Sequence, residues 1–168
     1  SSVLFSATIT PMTYFTQILG LKDSIEKRTL PSPFPQENLC TLVSDSVSTL
    51  YRQRSQTKHE IVQTIGALVE AKSGNYMVYF PSYGDLRMVH PLYEAAFPHH
   101  KILIQTHEMR EVERLDFLKH FSTENARILV GFVVMGGIFG EGIDLVGDRL
   151  SGAAIVGVGL PGISLERE

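Results

Sequence analysis

Short apolar runs alternate with stretches of helical periodicity along most of this chain, and this alternation constrains the fold more than any other feature. The runs are at 77–80, 102–105, 128–135 and 153–158. They are continuous rather than alternating with polar residues, which is typical of strands buried on both faces. The intervals with apolar residues at helical spacing are 61–69, 86–92 and 112–121. This strand–helix–strand order predicts an α/β protein, a three-layer α/β/α sandwich with a mainly parallel sheet.

The first 43 residues fit this pattern less regularly. Residues 3–5 form a short apolar run that predicts a peripheral strand, and 39–43 is a second strand candidate. Between them, Thr10 and Pro11 predict the start of a helix, because threonine caps helices and proline suits the first helical position. Gly20 is placed to end that helix.

Composition narrows the class of protein. The 168 residues are 43% hydrophobic and 20% charged, as in an ordinary globular domain. The sequence has neither an apolar run long enough to span a membrane nor a basic stretch leading into an apolar signal segment. A formal net charge of −3 argues against strong non-specific nucleic-acid binding by this chain alone. The single cysteine, Cys40, allows no internal disulfide and is expected to be a small buried hydrophobe.

Ligands of parallel α/β sheets bind at the carboxyl ends of the strands, so the loops that follow the strand candidates are the first place to seek a site. The loop after 128–135 is rich in glycine and contains Gly137, Glu141, Gly142 and Asp144. It matches neither the dinucleotide fingerprint nor the Walker phosphate loop. Its acids could bind a ribose hydroxyl or a cationic side chain, but composition alone favours a tight turn with solvated carboxylates.

Two further strand ends carry polar groups. Phe80, Ser82 and Tyr83 follow or end the run at 77–80, where Ser82 could contact a phosphate and Tyr83 a sugar or base. The alternative, which the residues taken alone favour, is that Ser82 caps the next helix together with Asp85. The triplet Ser6-Ala7-Thr8 follows the run at 3–5 and fits a simple turn equally well.

Histidines and charged residues elsewhere indicate no metal or catalytic site. His99, His100 and His107 straddle a predicted strand, so we expect solvated surface histidines rather than metal ligands. Arg114 and its charged neighbours have the pattern of a solvated helix face. No serine–histidine–aspartate set and no carboxylate pair placed for acid–base catalysis is evident.

The ordered set of these segments resembles the second, C-terminal motor domain of XPD/DinG-like superfamily 2 DNA helicases, a RecA-like fold. Residues 4–11 resemble motif III and the crossing between the two motor domains, and 32–34 resembles a recurrent family triplet. Residues 78–83 resemble motif IV. The segments that resemble motif V are 137–144, 147–150 and 159–161.

The resemblance implies a role for each candidate residue. Phe80, Ser82 and Tyr83 would contact single-stranded DNA. Gly137 and Gly142 would let the backbone approach phosphate, and Glu141 and Asp144 would link nucleotide state to DNA binding. Ser6, Ala7 and Thr8 would take part in coupling between the motor domains, with residues 1–10 being the end of the first domain and the crossing and 11–168 the second domain.

The family's other requirements are not met within this sequence. The sequence has no Walker A lysine motif, no acidic magnesium-binding motif and no arginine-rich motif VI. The resemblance therefore implies part of an ATP-dependent DNA helicase involved in DNA repair, with 5′ to 3′ polarity. ATP and Mg²⁺ would be cofactors of the full-length protein, with Mg²⁺ held by the first motor domain of the same chain. An iron–sulfur cluster would belong to that half too, and this chain alone would be inactive.

One alternative stays open on the sequence. The chain could be a free-standing α/β module that binds a nucleotide or a protein partner and has no motor activity. Both interpretations predict an intracellular protein without a membrane segment, cytoplasmic if the organism is prokaryotic.

Overall fold

The computed structural model describes residues 2–22 and 24–158, and the chain forms two compact units, Ser1–Leu42 and Val43–Glu168. The first unit contains helix α1 (Met12–Ile18) and a short 3-10 helix, Gln36–Asn38. Helix α1 confirms the prediction of a helix after Pro11, although the capping position is Pro11 itself and no side chain caps the helix.

Two strand predictions in the N-terminal region are wrong. Residues 3–5 and 39–43 have no strand structure, and the side chains of Val3 and Phe5 are largely exposed. An apolar run of three residues forms a strand only when a neighbouring strand supplies its hydrogen bonds, and none does so within the described residues. Cys40 is also exposed, contrary to the expectation of a buried thiol.

The second unit is built on a four-stranded parallel sheet. Its strands are β1 (Asn75–Phe80), β2 (Lys101–Ile104), β3 (Leu129–Val134) and β4 (Gly152–Ile155), in the spatial order β2-β3-β1-β4. All three strand pairings are parallel. All four strand predictions are confirmed, with β4 ending three residues earlier than predicted. The segment 159–161, which resembles the end of motif V, lies outside the described residues.

Helices cover both faces of this sheet. Helices α2 (Arg54–Glu70) and α3 (Tyr83–Ala96) pack on one face, and α4 (Glu111–Lys119) lies on the other with the loop that follows β3. The three-layer α/β/α sandwich is therefore confirmed. In the described parts of the chain, no helix combines the length and the apolarity that crossing a bilayer requires.

The buried faces of two helices show where hydrophobic periodicity succeeded and where it failed. The predicted stripe of α2 is confirmed, because Ile61, Val62, Ile65 and Val69 are buried. In α4, by contrast, Val112 and Leu115 are exposed and the buried residues are Arg114 and Phe117. The helix was predicted in the right place, but only the second half of its stripe is buried, since Phe121 is fully buried and Leu118 packs against the core. An apolar pattern does not detect a buried arginine such as Arg114.

Candidate functional site at the carboxyl edge of the sheet

Two of the predicted segments emerge side by side from the centre of the sheet. Strands β1 and β3 are paired neighbours, and Phe80 is in register with Val134 at their carboxyl ends. The amide of Met135 continues the ladder by donating to the Phe80 carbonyl at 2.8 Å. The Ser82–Tyr83 segment and the glycine-rich loop 136–144 therefore leave the same edge from adjacent strands, which is where parallel α/β sheets bind ligands.

Ser82 is the N-cap of α3. Its hydroxyl oxygen accepts a hydrogen bond from the Asp85 amide at 3.2 Å, and its hydroxyl donates to the Asp85 carboxylate at 2.6 Å. Arg54 at the start of α2 pairs with the same carboxylate oxygen at 2.6 Å. The capping interpretation of Ser82 is confirmed. Since Ser82 is itself exposed, the cap leaves this strand end open to solvent.

Tyr83 is joined to the end of β3 through Gln105, a buried residue that directly follows β2. The Gln105 amide nitrogen donates to the Tyr83 hydroxyl at 2.8 Å, and its carbonyl oxygen accepts from the Val134 amide at 2.8 Å. The Tyr83 hydroxyl in turn donates to the Thr106 carbonyl at 3.2 Å. One glutamine thus connects the ends of three neighbouring strands.

The side chain of Phe80 lies in the core rather than at the edge. Phe80 is fully buried, with its ring 5.1 Å from that of Phe132. Any contribution of Phe80 to ligand binding would therefore be made by holding the backbone that leads to Ser82. Tyr83, which is partly exposed, presents a ring to the surface, with the His107 ring 5.0 Å away.

The glycine-rich loop needs glycine at two of the predicted positions for different reasons. Gly142 has φ +67°, a left-handed conformation that costs other residues about 1–2 kcal/mol. Gly137 has no such φ, but a Cβ there would lie 3.1 Å from the Gln105 side chain and 3.2 Å from the Val134 carbonyl. Its amide already donates to that carbonyl at 3.3 Å, so the Gly137 N–H is used within the turn.

Arg114 on α4 binds the backbone of this loop and is the main site residue that the sequence pattern missed. Its guanidinium donates to the carbonyls of Ile138 at 2.6 Å, Gly142 at 2.8 Å and Glu141 at 3.2 Å. A fourth contact is an ion pair with Glu111 at 2.8 Å. Arg114 is only 8% exposed, so the expectation of a solvated helix face is wrong for this residue. The guanidinium reaches these carbonyls from Nε and Nη2, whereas the three donors of a lysine lie on a single nitrogen.

The acids of the loop face solvent. Glu141 and Asp144 are both exposed. A shallow depression beside them is lined by Glu111, Arg114 and six loop residues, Gly136, Gly137, Ile138, Gly140, Glu141 and Gly142. Carboxylates at such a rim can accept hydrogen bonds from ribose hydroxyls or pair with arginines, but they repel phosphate unless a cation lies between.

The remaining predicted residues lie elsewhere. Ser6 and Thr8 belong to the first unit, where the Thr8 amide donates to the Ser6 hydroxyl oxygen at 3.1 Å and Ala7 lies in the exposed turn between them. This contact agrees with the simple turn. Arg149, near the end of the motif V-like region, donates to the Phe121 and Leu118 carbonyls at the end of α4.

The three histidines differ in exposure, since His99 and His107 are exposed as predicted and His100 is not. His100 is buried, and His99 and His100 converge on Glu70, whereas His107 lies beside Tyr83. The expectation of three solvated histidines is therefore wrong for His100. Sequence reasoning missed this cluster because Glu70 is distant along the chain and ends a different helix.

The residues that sequence reasoning missed carried weak signals. Gln105 is a polar residue placed immediately after an apolar strand, and Arg114 interrupts the apolar period of α4 between Val112 and Phe117. Neither signal indicates which atoms the side chain binds. The partners are backbone carbonyls and amides, which no side-chain pattern records.

The parallel sheet, the helices on both faces and the loop pair at its carboxyl edge define a RecA-like α/β domain. The chain belongs to the family of helicase C-terminal domains, whose family model matches residues 65–167. This confirms the resemblance to the second motor domain of XPD/DinG-like helicases. A solved structure titled as that of S. tokodaii Xpd4 is similar at 19% identity with a TM-score of 0.40. That match covers 53% of this chain and 17% of the other. No curated protein matches the chain.

Proposed function

We propose that this chain supplies the second motor domain of an ATP-dependent DNA helicase of the XPD/DinG class, with a role in DNA repair. In this proposal the Ser82–Tyr83 segment contacts single-stranded DNA and the glycine-rich loop responds to nucleotide. The observation that carries the proposal is the Gln105 bridge, which ties Tyr83 to the end of β3 from which that loop leaves. A movement of the loop on nucleotide binding would thereby reach the DNA contact through two hydrogen bonds.

ATP would bind between this domain and the first motor domain. The described residues of the loop offer no lysine, and the one arginine beneath it is committed to three carbonyls. The phosphates and Mg²⁺ would therefore be held by the first motor domain, as the resemblance implies. What this chain offers is the pair of exposed carboxylates, Glu141 and Asp144, which can accept hydrogen bonds from a ribose or pair with an arginine of the motor. On this proposal the isolated chain does not hydrolyse ATP.

The test of the nucleotide role is Asp144→Asn in the intact protein. The change removes a charge and keeps the shape of the side chain, and folding should survive because Asp144 is exposed. DNA-stimulated ATPase activity should fall by roughly tenfold or more, since a transition-state-linked contact worth about 1.4 kcal/mol is lost. Asp116→Asn is the matched control, because Asp116 is an exposed carboxylate on α4, outside the segments that resemble motif V. Equal activity in the two variants, within about twofold, would contradict the nucleotide role.

The test of the DNA role is a comparison of two changes at Tyr83. Tyr83→Phe keeps the ring and removes the hydroxyl that bonds Gln105 and Thr106, whereas Tyr83→Ala removes both. Loss of a base or sugar contact by the ring should weaken single-stranded DNA binding by about 1–3 kcal/mol in Tyr83→Ala. Tyr83→Phe should bind nearly as well as wild type. If both variants bind single-stranded DNA like wild type in a fluorescence anisotropy titration, the ring makes no such contact.

A further inference from the structure

Glu70, His99 and His100 bring three metal-ligating atoms together at the amino edge of the sheet, opposite the glycine-rich loop. The Glu70 carboxylate lies 2.7 Å from His99 Nε2 and 2.8 Å from His100 Nε2. The ligand atoms of all three lie within 4.8 Å of one another. Glu70 ends α2, and the two histidines form the turn immediately before β2.

One ring nitrogen of the buried His100 has no hydrogen-bond partner within the described residues. Its side chain is fully buried, and its Nε2 lacks a hydrogen bond because its contact with Glu70 has poor geometry. The other ring nitrogen, Nδ1, lies 3.0 Å from the Tyr93 hydroxyl, and the Phe97 ring stacks on the imidazole at 5.4 Å. An aromatic cage and a hydroxyl thus fix the ring and aim Nε2 at the carboxylate. An orphaned buried nitrogen is costly unless something binds it.

The position of Glu70 also favours a cation. A carboxylate in the last turn of a helix faces the negative end of the helix dipole, and α2 has no basic residue in that turn. A positive charge between Glu70 and the histidines would offset this repulsion.

We propose that Glu70, His99 and His100 form a zinc site that joins the end of α2 to the turn before β2. Two imidazole nitrogens and one carboxylate oxygen are a donor set that Zn²⁺ accepts, with a water in the fourth position. With zinc bound at Nε2, His100 would carry its proton on Nδ1 and donate it to the Tyr93 oxygen, the arrangement that orients most histidine ligands.

The Glu70 carboxylate requires only a small adjustment relative to each histidine. Ligand atoms about 2.0–2.1 Å from a tetrahedral zinc lie about 3.3 Å apart, so the carboxylate must retreat by roughly half an ångström. Glu70 is 45% exposed at the end of its helix, and His99 is 62% exposed, so both can move. These exposed side chains also leave the cluster accessible from solvent.

The experiment is titration of the intact protein with Co²⁺ and Zn²⁺, comparing His99→Gln, Glu70→Gln and His107→Gln. The first two remove ligands from exposed positions, so the fold should persist, and His107→Gln is the matched control outside the cluster. Wild type and His107→Gln should show the visible absorption of four-coordinate Co²⁺, bleached by Zn²⁺. The two ligand variants should bind at least tenfold more weakly. Zn²⁺ should raise the melting temperature of wild type more than that of His99→Gln.

Two results would overturn the proposal. One is the absence of saturable Co²⁺ binding by wild type, which would leave a carboxylate–histidine hydrogen bond only. The other is equal metal affinity in His99→Gln and His107→Gln, which would place the metal elsewhere. The test does not depend on the helicase proposal, because it measures metal binding and melting rather than ATPase activity.

Discussion

Replacing Arg114 by methionine should loosen the glycine-rich loop while leaving the sheet intact. Methionine fills a similar volume and preserves helix propensity, but it has no donor for the carbonyls of Ile138, Glu141 and Gly142. These three hydrogen bonds involve a charged donor and are 2.6–3.2 Å long. The loss should therefore appear at residues 138–142 rather than across the whole domain.

The magnitude follows from the contacts. A hydrogen bond to a charged group contributes about 1.5–3 kcal/mol net, but the loop residues that carry the three carbonyls are exposed or near the surface, where water can replace the lost donor. The ion pair with Glu111, whose side chain is 65% exposed, adds at most about 1 kcal/mol. Together these give a cost of about 2–4 kcal/mol for Arg114→Met. Arg114→Lys should recover only a small part, because one ammonium cannot span three carbonyls.

The assay is hydrogen–deuterium exchange of the peptides that cover 136–142. If the loop opens locally, a cost of about 2–4 kcal/mol accelerates exchange roughly 30-fold to 1,000-fold, since 1.36 kcal/mol is a factor of ten. Arg110→Met is the matched control, because Arg110 precedes the same helix with its side chain 84% exposed. Exchange in Arg114→Met within threefold of the control would refute the reasoning that Arg114 holds the loop.

Three further changes test the contacts around the site. Ser82→Ala removes the α3 cap and should lower the free energy of unfolding by about 1 kcal/mol in thermal melts. Ser82→Thr keeps the hydroxyl and should lower it by less than half of that amount. Equal melting temperatures for the two variants would count against the cap. Arg54→Met leaves the partly buried Asp85 carboxylate without its cation and should lower the free energy of unfolding in urea by about 2–3 kcal/mol. The exposed Arg52→Met should lower it by less than about 0.5 kcal/mol. Similar values for the two would show that the Arg54–Asp85 pair contributes little. Gln105→Leu leaves the Val134 amide without its acceptor and should lower the free energy of unfolding by about 1–3 kcal/mol, whereas the exposed Glu108→Leu should lower it by less than about 0.5 kcal/mol; similar values for the two would show that the Gln105 contact contributes little.

The fold was largely predictable because hydrophobic burial dominates it. The runs of β1 and β3 and the α2 stripe are read directly from apolar residues that the structure buries, such as Val62 and Val78. The runs of the edge strands β2 and β4 were also found by their apolar residues, but these strands are only partly buried. The failures at 3–5 and 39–43 have a common cause. A strand needs partner strands as well as apolar side chains, and short runs of three to five residues do not reveal whether partners exist.

The site was predictable only in part, because its positions and its contacts depend on different physics. The carboxyl-edge rule located Tyr83 and the glycine-rich loop, and the capping pattern gave the role of Ser82. The Gln105 bridge and the Arg114 fork could not be predicted, since both bind backbone atoms that are brought near only by the parallel register of the sheet.

At the carboxyl edge of the sheet, buried polar side chains hold the backbone, and exposed side chains are the ones proposed to contact ligands. Gln105, Arg114 and Asp85 are each at most 8% exposed, and each binds a segment that leaves the sheet or begins a helix there. The groups proposed to meet ligands, such as Tyr83 and Asp144, are partly or fully exposed and make few contacts. A loop with four glycines cannot hold one conformation by its own packing, because glycine has no side chain to bury and loses the most backbone entropy on folding. The buried arginine and glutamine supply that restraint. Changes to the supporting residues should therefore reduce stability and function together, whereas changes to the exposed carboxylate should reduce function alone.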